Sequence, residues 1–142
     1  MSIRRLVEGD YSTYYKLIND FRETEFTQAE FQEKLSDMDR RGIEIYVIEE
    51  PSGELIATAT LIVEPKFIFN MATYAHVEDV CVAAGRRGEG LGKKIMKELF
   101  EICKQRKYYK ISLSCGDHNV GFYTACGLEK RGNQMCQLVS LL

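Results

Sequence analysis

The sequence contains no apolar run long enough to cross a membrane; the longest, Leu55 to Val63, is short and is broken by Thr58 and Thr60. The start Met1-Ser2-Ile3-Arg4-Arg5 leads into no apolar stretch, so no secretory signal is expected. No two cysteines stand as Cys-x-x-Cys, and the total of five (Cys81, Cys103, Cys115, Cys126, Cys136) is odd. That pattern points to a reducing compartment and mostly buried free thiols rather than a disulfide framework. Cys115 and His118 have Cys-x-x-His spacing, but no second ligand pair accompanies them, and no zinc or other metal is expected. Repeats, linkers and low-complexity tracts are also missing. A net charge of −2 speaks against a dedicated nucleic-acid binder.

What remains is an ordinary globular composition, 45% hydrophobic and 28% charged, in 142 residues. This suits one domain, residues 1–142, able to bury a core without disulfides or a structural metal. The charge is unevenly divided, −6 over residues 1–75 and +4 over residues 76–142. Either the second half holds an anionic ligand or the asymmetry is chance.

Periodicity organises the chain. Ile3 to Leu6 reads as an edge strand, and Tyr14, Leu17, Ile18 and Phe21 fall at helical spacing. Thr27-Gln28-Ala29-Glu30 has the form of a capping box, opening a second helix that runs to about Arg40 and ends at Gly42. Ile43 to Glu50 and Leu55 to Glu64, joined by Pro51-Ser52-Gly53-Glu54, predict a β-hairpin. Pro65 to Asn70 reads as a loop with exposed aromatics, and Tyr74 to Ala83 as a central strand. Gly88 to Lys107 carries Leu91, Ile95, Leu99 and Ile102 on one face and is the strongest helix. Lys110 to Cys115 predicts a strand, Asn119 to Cys126 a short helix, and Gln134 to Leu142 a final strand. The order predicts an α/β (α+β) domain around one sheet.

The most informative stretch runs from Val77 to Lys94. There a strand enters a glycine-rich turn that opens the strongest helix. A helix N-terminus has orphan amides and about half a positive charge, which suits phosphate oxygens. Gly88, Gly90 and Gly92 let such oxygens approach the backbone, and Arg86, Arg87 and Lys93 add charge. A tight strand-to-helix turn would use the same glycines without any ligand. Neither the P-loop nor the dinucleotide fingerprint fits. Arg87-Gly88-Glu89-Gly90-Leu91-Gly92 does match Arg/Gln-x-x-Gly-x-Gly/Ala and resembles the pyrophosphate loop of GNAT acetyltransferases. With Leu61-Ile62-Val63-Glu64, Lys66-Phe67-Ile68, Val77-Glu78-Asp79-Val80 and Asn119-Val120-Gly121-Phe122-Tyr123, the chain resembles the eukaryotic glucosamine-6-phosphate N-acetyltransferases. The similarity extends from about Tyr46 to Cys136.

This resemblance implies a GNAT fold, a central mixed β-sheet flanked by helices. It also implies direct acetyl transfer from acetyl-CoA to the 2-amino group of glucosamine 6-phosphate in a ternary complex, a step of UDP-GlcNAc biosynthesis. Val80, Cys81 and Val82 would pair through their backbone with the pantetheine arm. The amide of Val80 would stabilise the oxyanion, and Arg87, Gly88, Glu89, Gly90, Leu91, Gly92 and Lys93 would hold the pyrophosphate. Asn119 would touch the CoA arm. Tyr123 would sit near the sulfur and protonate the departing thiolate. On the acceptor side the resemblance implies Lys66 at the sugar phosphate, with Phe67 and Ile68 beside it, and Glu78, Asp79 and Ser114 at the amino sugar.

Strand alternation predicts that Glu78 and Asp79 face opposite ways, so they would not form a facing carboxylate pair. Glu78 is the catalytic candidate of the two, and no single general base is named. His76 shares the face of Glu78 and reads as a sheet histidine with satisfied ring nitrogens, or as an outside catalytic candidate.

Two positions depart from the family pattern. Ser114 stands where the family has an acidic residue, and Met135-Cys136-Gln137-Leu138 lacks the family's phosphate-contacting arginine. Lys130 or Arg131 could substitute if the loop before them bends toward the site. The alternatives are therefore a GNAT enzyme for another amine, a polyamine or a protein terminus, and a CoA-binding domain without turnover. Family members are homodimers, and the apolar end Leu138 to Leu142 suits either an interface or an internal strand. The expected location is cytoplasmic, with a peroxisome-related organelle as a minor alternative, because Ser140-Leu141-Leu142 has Leu where the Ser-Lys-Leu address has Lys.

Overall fold

A computed structural model describes residues 1–142. Its helices are α1 (Tyr11–Phe21), α2 (Gln28–Arg40), α3 (Leu91–Gln105) and the short α4 (Val120–Ala125). Its strands are β1 (Ser2–Arg5), β2 (Ile43–Glu49), β3 (Leu55–Pro65), β4 (Thr73–Val82) and β5 (Lys110–Leu113). They form one sheet in chain order, antiparallel from β1 to β4 and parallel between β4 and β5. A parallel pair needs a crossover, and α3 supplies it. This is the mixed sheet with flanking helices that the sequence predicts. No helix is long and apolar enough to cross a membrane.

The sheet is buried on both faces because its central strands are apolar at successive positions. Along β2, Ile45 and Val47 enter the core beneath α1 and α2, while Tyr46 and Ile48 enter the core beneath α3. Leu91, Ile95 and Leu99 form the buried stripe of α3, joined by Met96 and Cys103. The capping box of α2 forms as the sequence implies, with the Glu30 amide donating to Thr27 Oγ1 at 3.1 Å and the Thr27 amide to Glu30 Oε1 at 3.0 Å.

Two expectations need correction. Helix α3 starts at Leu91 rather than Gly88, because Gly88 and Gly90 have φ of +84° and +78°, outside the helical range. The expected final strand, Gln134 to Leu142, is absent, and only a single turn at Val139–Leu141 is regular. Its apolar residues Leu138, Val139, Leu141 and Leu142 are exposed, because the segment pairs with no strand of its own chain. Beside it β5 keeps an open edge, along a groove of about 860 Å³ that Lys130 and Arg131 also line.

Arg4 fastens the N-terminal strand. Its guanidinium donates to both oxygens of Asp10, at 2.8 and 2.9 Å, and to Glu49 at 2.8 Å. Burial pushes the Asp10 carboxyl up, but the Arg4 guanidinium and the Val7 amide outweigh it and hold the group below its ordinary value. A depressed folded-state value means stability that is present above the unfolded carboxylate range and lost as pH falls through the folded one. Asp10→Asn should therefore lower stability by about 1–3 kcal/mol near neutrality. It should also flatten the acid limb of a stability–pH curve below about pH 4, as read by urea unfolding at several pH values.

Candidate active site

The site begins where β4 leaves its neighbours. Against β3 the register runs Glu78↔Thr60 and then Cys81↔Thr58, so Asp79 and Val80 have no partner there. Asp79 takes φ +51°, and this bulge inverts the alternation of the strand. Before it Ala75 and Val77 face the α3 core. After it Cys81 faces α1, and Val80 and Val82 pack toward α3. Against β5 the pairing ends at Val77↔Leu113, so the end of β4 is free on that side too. The amides around Val80 are thus released from the ladder and available to a ligand.

The opening is a cleft of about 1040 Å³. Glu78, Asp79, Val80, Cys81 and Val82 line it from β4, and Arg87, Gly88, Gly90, Leu91, Gly92 and Lys93 from the glycine turn and α3. Asn119 and Tyr123 come from the segment entering α4 and from α4 itself, and Ser114 from the residue after β5. Glu78 and Asp79 therefore share one cavity, against the expectation of opposite faces, which assumed an unbroken pleat. Burial raises the Asp79 carboxyl, and the charge of Glu78 adds to the rise.

The cations of the glycine turn divide into two kinds. Arg86 is committed, pairing with Glu50 and, at 2.6 Å, with Glu89. Glu89, expected at the pyrophosphate, instead spends its carboxylate on Arg86, which holds it below its ordinary value. Arg87 and Lys93 pair with no carboxylate and are left for an anion at the start of α3. Left-handed Gly88 and Gly90 present the turn's amides to the same space. Gly90→Ala meets no steric neighbour, so its cost is backbone strain alone. It should destabilise the protein by about 1–2 kcal/mol in denaturant unfolding.

Tyr123 is half-buried, and burial first, then Cys115 and Cys126, raise its phenol above the ordinary value. It stays protonated through neutral pH. The Cys81 thiol is pushed up to about 11 by burial, and Sγ donates to the Leu17 carbonyl at 3.7 Å. Only the backbone of Cys81 is therefore offered to the cleft.

On the acceptor side, Glu78 Oε1 lies 2.7 Å from His76 Nε2, and His76 Nδ1 lies 3.4 Å from Ser112 Oγ. Lys66, Phe67 and Ile68 are not brought into the cleft. They flank a turn in which Phe69, Asn70 and Met71 are all left-handed, strain of a kind that concentrates at functional loops. Phe69 stacks on Tyr109 at 4.6 Å, Tyr109 on Tyr74 at 5.5 Å, and Lys66 and Lys110 both lie over the Tyr74 ring, at 5.1 and 4.6 Å. Lys66 also pairs with Glu64 at 3.4 Å, so Lys110 is the ammonium group on this platform that pairs with no carboxylate.

Sequence reasoning missed Lys110, although it alternates with Ser112 on one face of β5, a signal that was present. Arg22 and Phe21, at the end of α1, also line the cleft. No spacing pattern could have found Arg22, since only the packing of α1 on the sheet brings it there.

Comparison with known proteins gives a consistent answer. Residues 10–128 match the Acetyltransferase (GNAT) family. Glucosamine 6-phosphate N-acetyltransferase 1 of Dictyostelium discoideum is 33% identical over 139 residues, covering 95% of this chain and 88% of its own. The Arabidopsis thaliana glucosamine 6-phosphate N-acetyltransferase is 38% identical over 112 residues, covering 77% and 75%. The crystal structure of the Arabidopsis enzyme superposes with a TM-score of 0.90 at 32% identity, covering 97% of each chain. A Trypanosoma brucei acetyltransferase structure gives 0.92 at 29% identity, covering 97% of this chain and 99% of its own.

Proposed function

Because the chain belongs to the GNAT acetyltransferase family, we propose that it transfers acetyl from acetyl-CoA to the 2-amino group of glucosamine 6-phosphate, giving N-acetylglucosamine 6-phosphate. The observation that carries this reading is the break in β4. It frees the Val80 amide in the same cleft as two uncommitted cations, a protonated phenol and the Glu78–Asp79 carboxylates. Its likeness to enzymes named for this acceptor supports the choice of amine.

The division of labour follows from charge. Arg87, Lys93 and the amides of the glycine turn hold the diphosphate. The backbone of Val80 to Val82 pairs with the pantetheine arm, with Asn119 against it. The Val80 amide donates to the oxygen that becomes negative when the amine attacks the thioester. Glu78 and Asp79 hold the ammonium and take its proton, and Tyr123 donates a proton to the departing sulfur. The sugar phosphate lies toward Lys110, which pairs with no carboxylate, with Lys66 beside it over the same ring; Lys66 pairs with Glu64 at 3.4 Å and Arg131 with Glu129 at 2.9 Å.

A second copy of the chain completes the assembly. The open edge of β5, the groove beside it and the exposed apolar tail support pairing through this side. Sedimentation equilibrium should give a dimer mass, and a monomer at micromolar concentration would remove that part of the reading.

Thiol release from acetyl-CoA over a panel of amines tests the function. Turnover with glucosamine 6-phosphate, and far less with glucosamine, is the expected result. Turnover confined to polyamines or peptides would replace the acceptor. Tight CoA binding with no thiol released would leave a binder without catalysis.

A further inference from the structure

Resting on the amine-acetylation reading above, we propose that His76 is the positioning residue for Glu78. On this proposal, one carboxylate oxygen is held against the sheet so that the other is presented to the acceptor amine. His76 and Glu78 are two apart on β4, before the bulge, and their side chains lie on the same face of the sheet. The Nε2···Oε1 separation is 2.7 Å. An ionised carboxylate only accepts, so Nε2–H donates. That leaves Nδ1 as the acceptor, and the Ser112 hydroxyl, opposite His76 in the β4–β5 register and 3.4 Å away, donates to it. The chain Ser112–His76–Glu78 thus fixes the tautomer of the imidazole, and the imidazole fixes one oxygen of Glu78. Oε2 has no partner within the protein and remains free to accept the proton that the ammonium loses: carboxylate plus ammonium gives carboxylic acid plus neutral amine.

Arg22, at the end of α1, lines the same cleft as Glu78 and Asp79 and pairs with no carboxylate. Ile62 lies opposite His76 on β3, and Thr60 lies opposite Glu78. Asp79 follows Glu78 along the chain, and Glu64, Lys66 and Lys110 gather two residues away around Tyr74. Glu78 is half-exposed, so without a fixed partner its side chain would sample several rotamers and the amine would meet a carboxylate in the productive position only part of the time.

The experiment compares His76→Leu, His76→Gln and Ser112→Ala with the wild type, measuring kcat/KM for glucosamine 6-phosphate and KM for acetyl-CoA. His76→Leu should lower kcat/KM for the acceptor about ten- to hundredfold with KM for acetyl-CoA unchanged. His76→Gln keeps a donor and should recover most of the activity, and Ser112→Ala should lower kcat/KM for the acceptor in the same direction by less. Equal losses in the Leu and Gln variants, or a kcat/KM for Ser112→Ala equal to that of the wild type, would overturn the proposal; the Ser112→Ala comparison stands even if His76→Leu does not fold. A wild type inactive on every amine would instead sink the acetylation reading, so the two failures are distinct.

Discussion

Tyr123→Phe is expected to lower kcat about 10²–10⁴-fold while the affinity for acetyl-CoA changes by no more than about twofold. The argument is one of leaving-group chemistry. When the tetrahedral intermediate collapses, the sulfur departs as a thiolate, and in a cavity partly closed to water that charge is costly unless a proton arrives. Tyr123 meets three conditions for supplying it. It lines the same cleft as the released Val80 amide. Its hydroxyl is not consumed by a hydrogen bond inside the protein. Burial and the neighbouring thiols Cys115 and Cys126 raise its phenol, so the acid form is present throughout the neutral and mildly alkaline range. Phenylalanine keeps the packing against the α3 core and the edge-to-face contact with Phe122 at 4.9 Å, so the fold and the CoA arm's surroundings survive. Loss of the hydroxyl alone then reports on proton donation. Single-turnover thiol release separates it from binding, and an unchanged kcat would take Tyr123 out of the acid's role.

The parts of this molecule that were legible in advance share one property, their signals are local. The Thr27–Glu30 box, the Leu91–Ile95–Leu99 stripe and the β-branched and aromatic run of β2 each specify an element within a few residues, and each formed. The bulge at Asp79 was not legible. A non-glycine residue at φ +51° is stabilised by the strands around it, which no window of β4 alone contains. That single dihedral reverses which side chains face the cleft and so undid the expectation for Glu78 and Asp79. The tail failed for the complementary reason. Gln134 to Leu142 has strand-like composition, but a strand needs a partner, and this segment pairs with none in its own chain. Arg86 and Arg87, indistinguishable as neighbouring letters, separate into a paired and an unpaired arginine because Glu50, just after β2, and Glu89 lie beside Arg86.

That separation yields the second large effect. Arg87→Ala combined with Lys93→Ala should weaken acetyl-CoA binding about 10²–10⁴-fold, since two hydrogen bonds to charged groups contribute about 1.5–3 kcal/mol each and about 1.4 kcal/mol is tenfold in affinity. The pair lies at one helix start, so its members couple and the loss need not equal the sum of the single variants. Ionic strength gives the sharper reading. Two exposed cations facing a diphosphate are screened by salt, so wild-type affinity should fall between low and physiological salt and the double variant should lose most of that dependence. Arg86→Ala serves as the contrast. Its guanidinium is already neutralised by Glu50 and Glu89, so its removal should leave affinity nearly intact and appear as a lower unfolding midpoint. Titration calorimetry with CoA measures all three proteins. If the double variant bound like the wild type, the amides of the glycine turn and the α3 start would be gripping the diphosphate unaided, and the basic half of the chain would owe its charge to something other than this ligand.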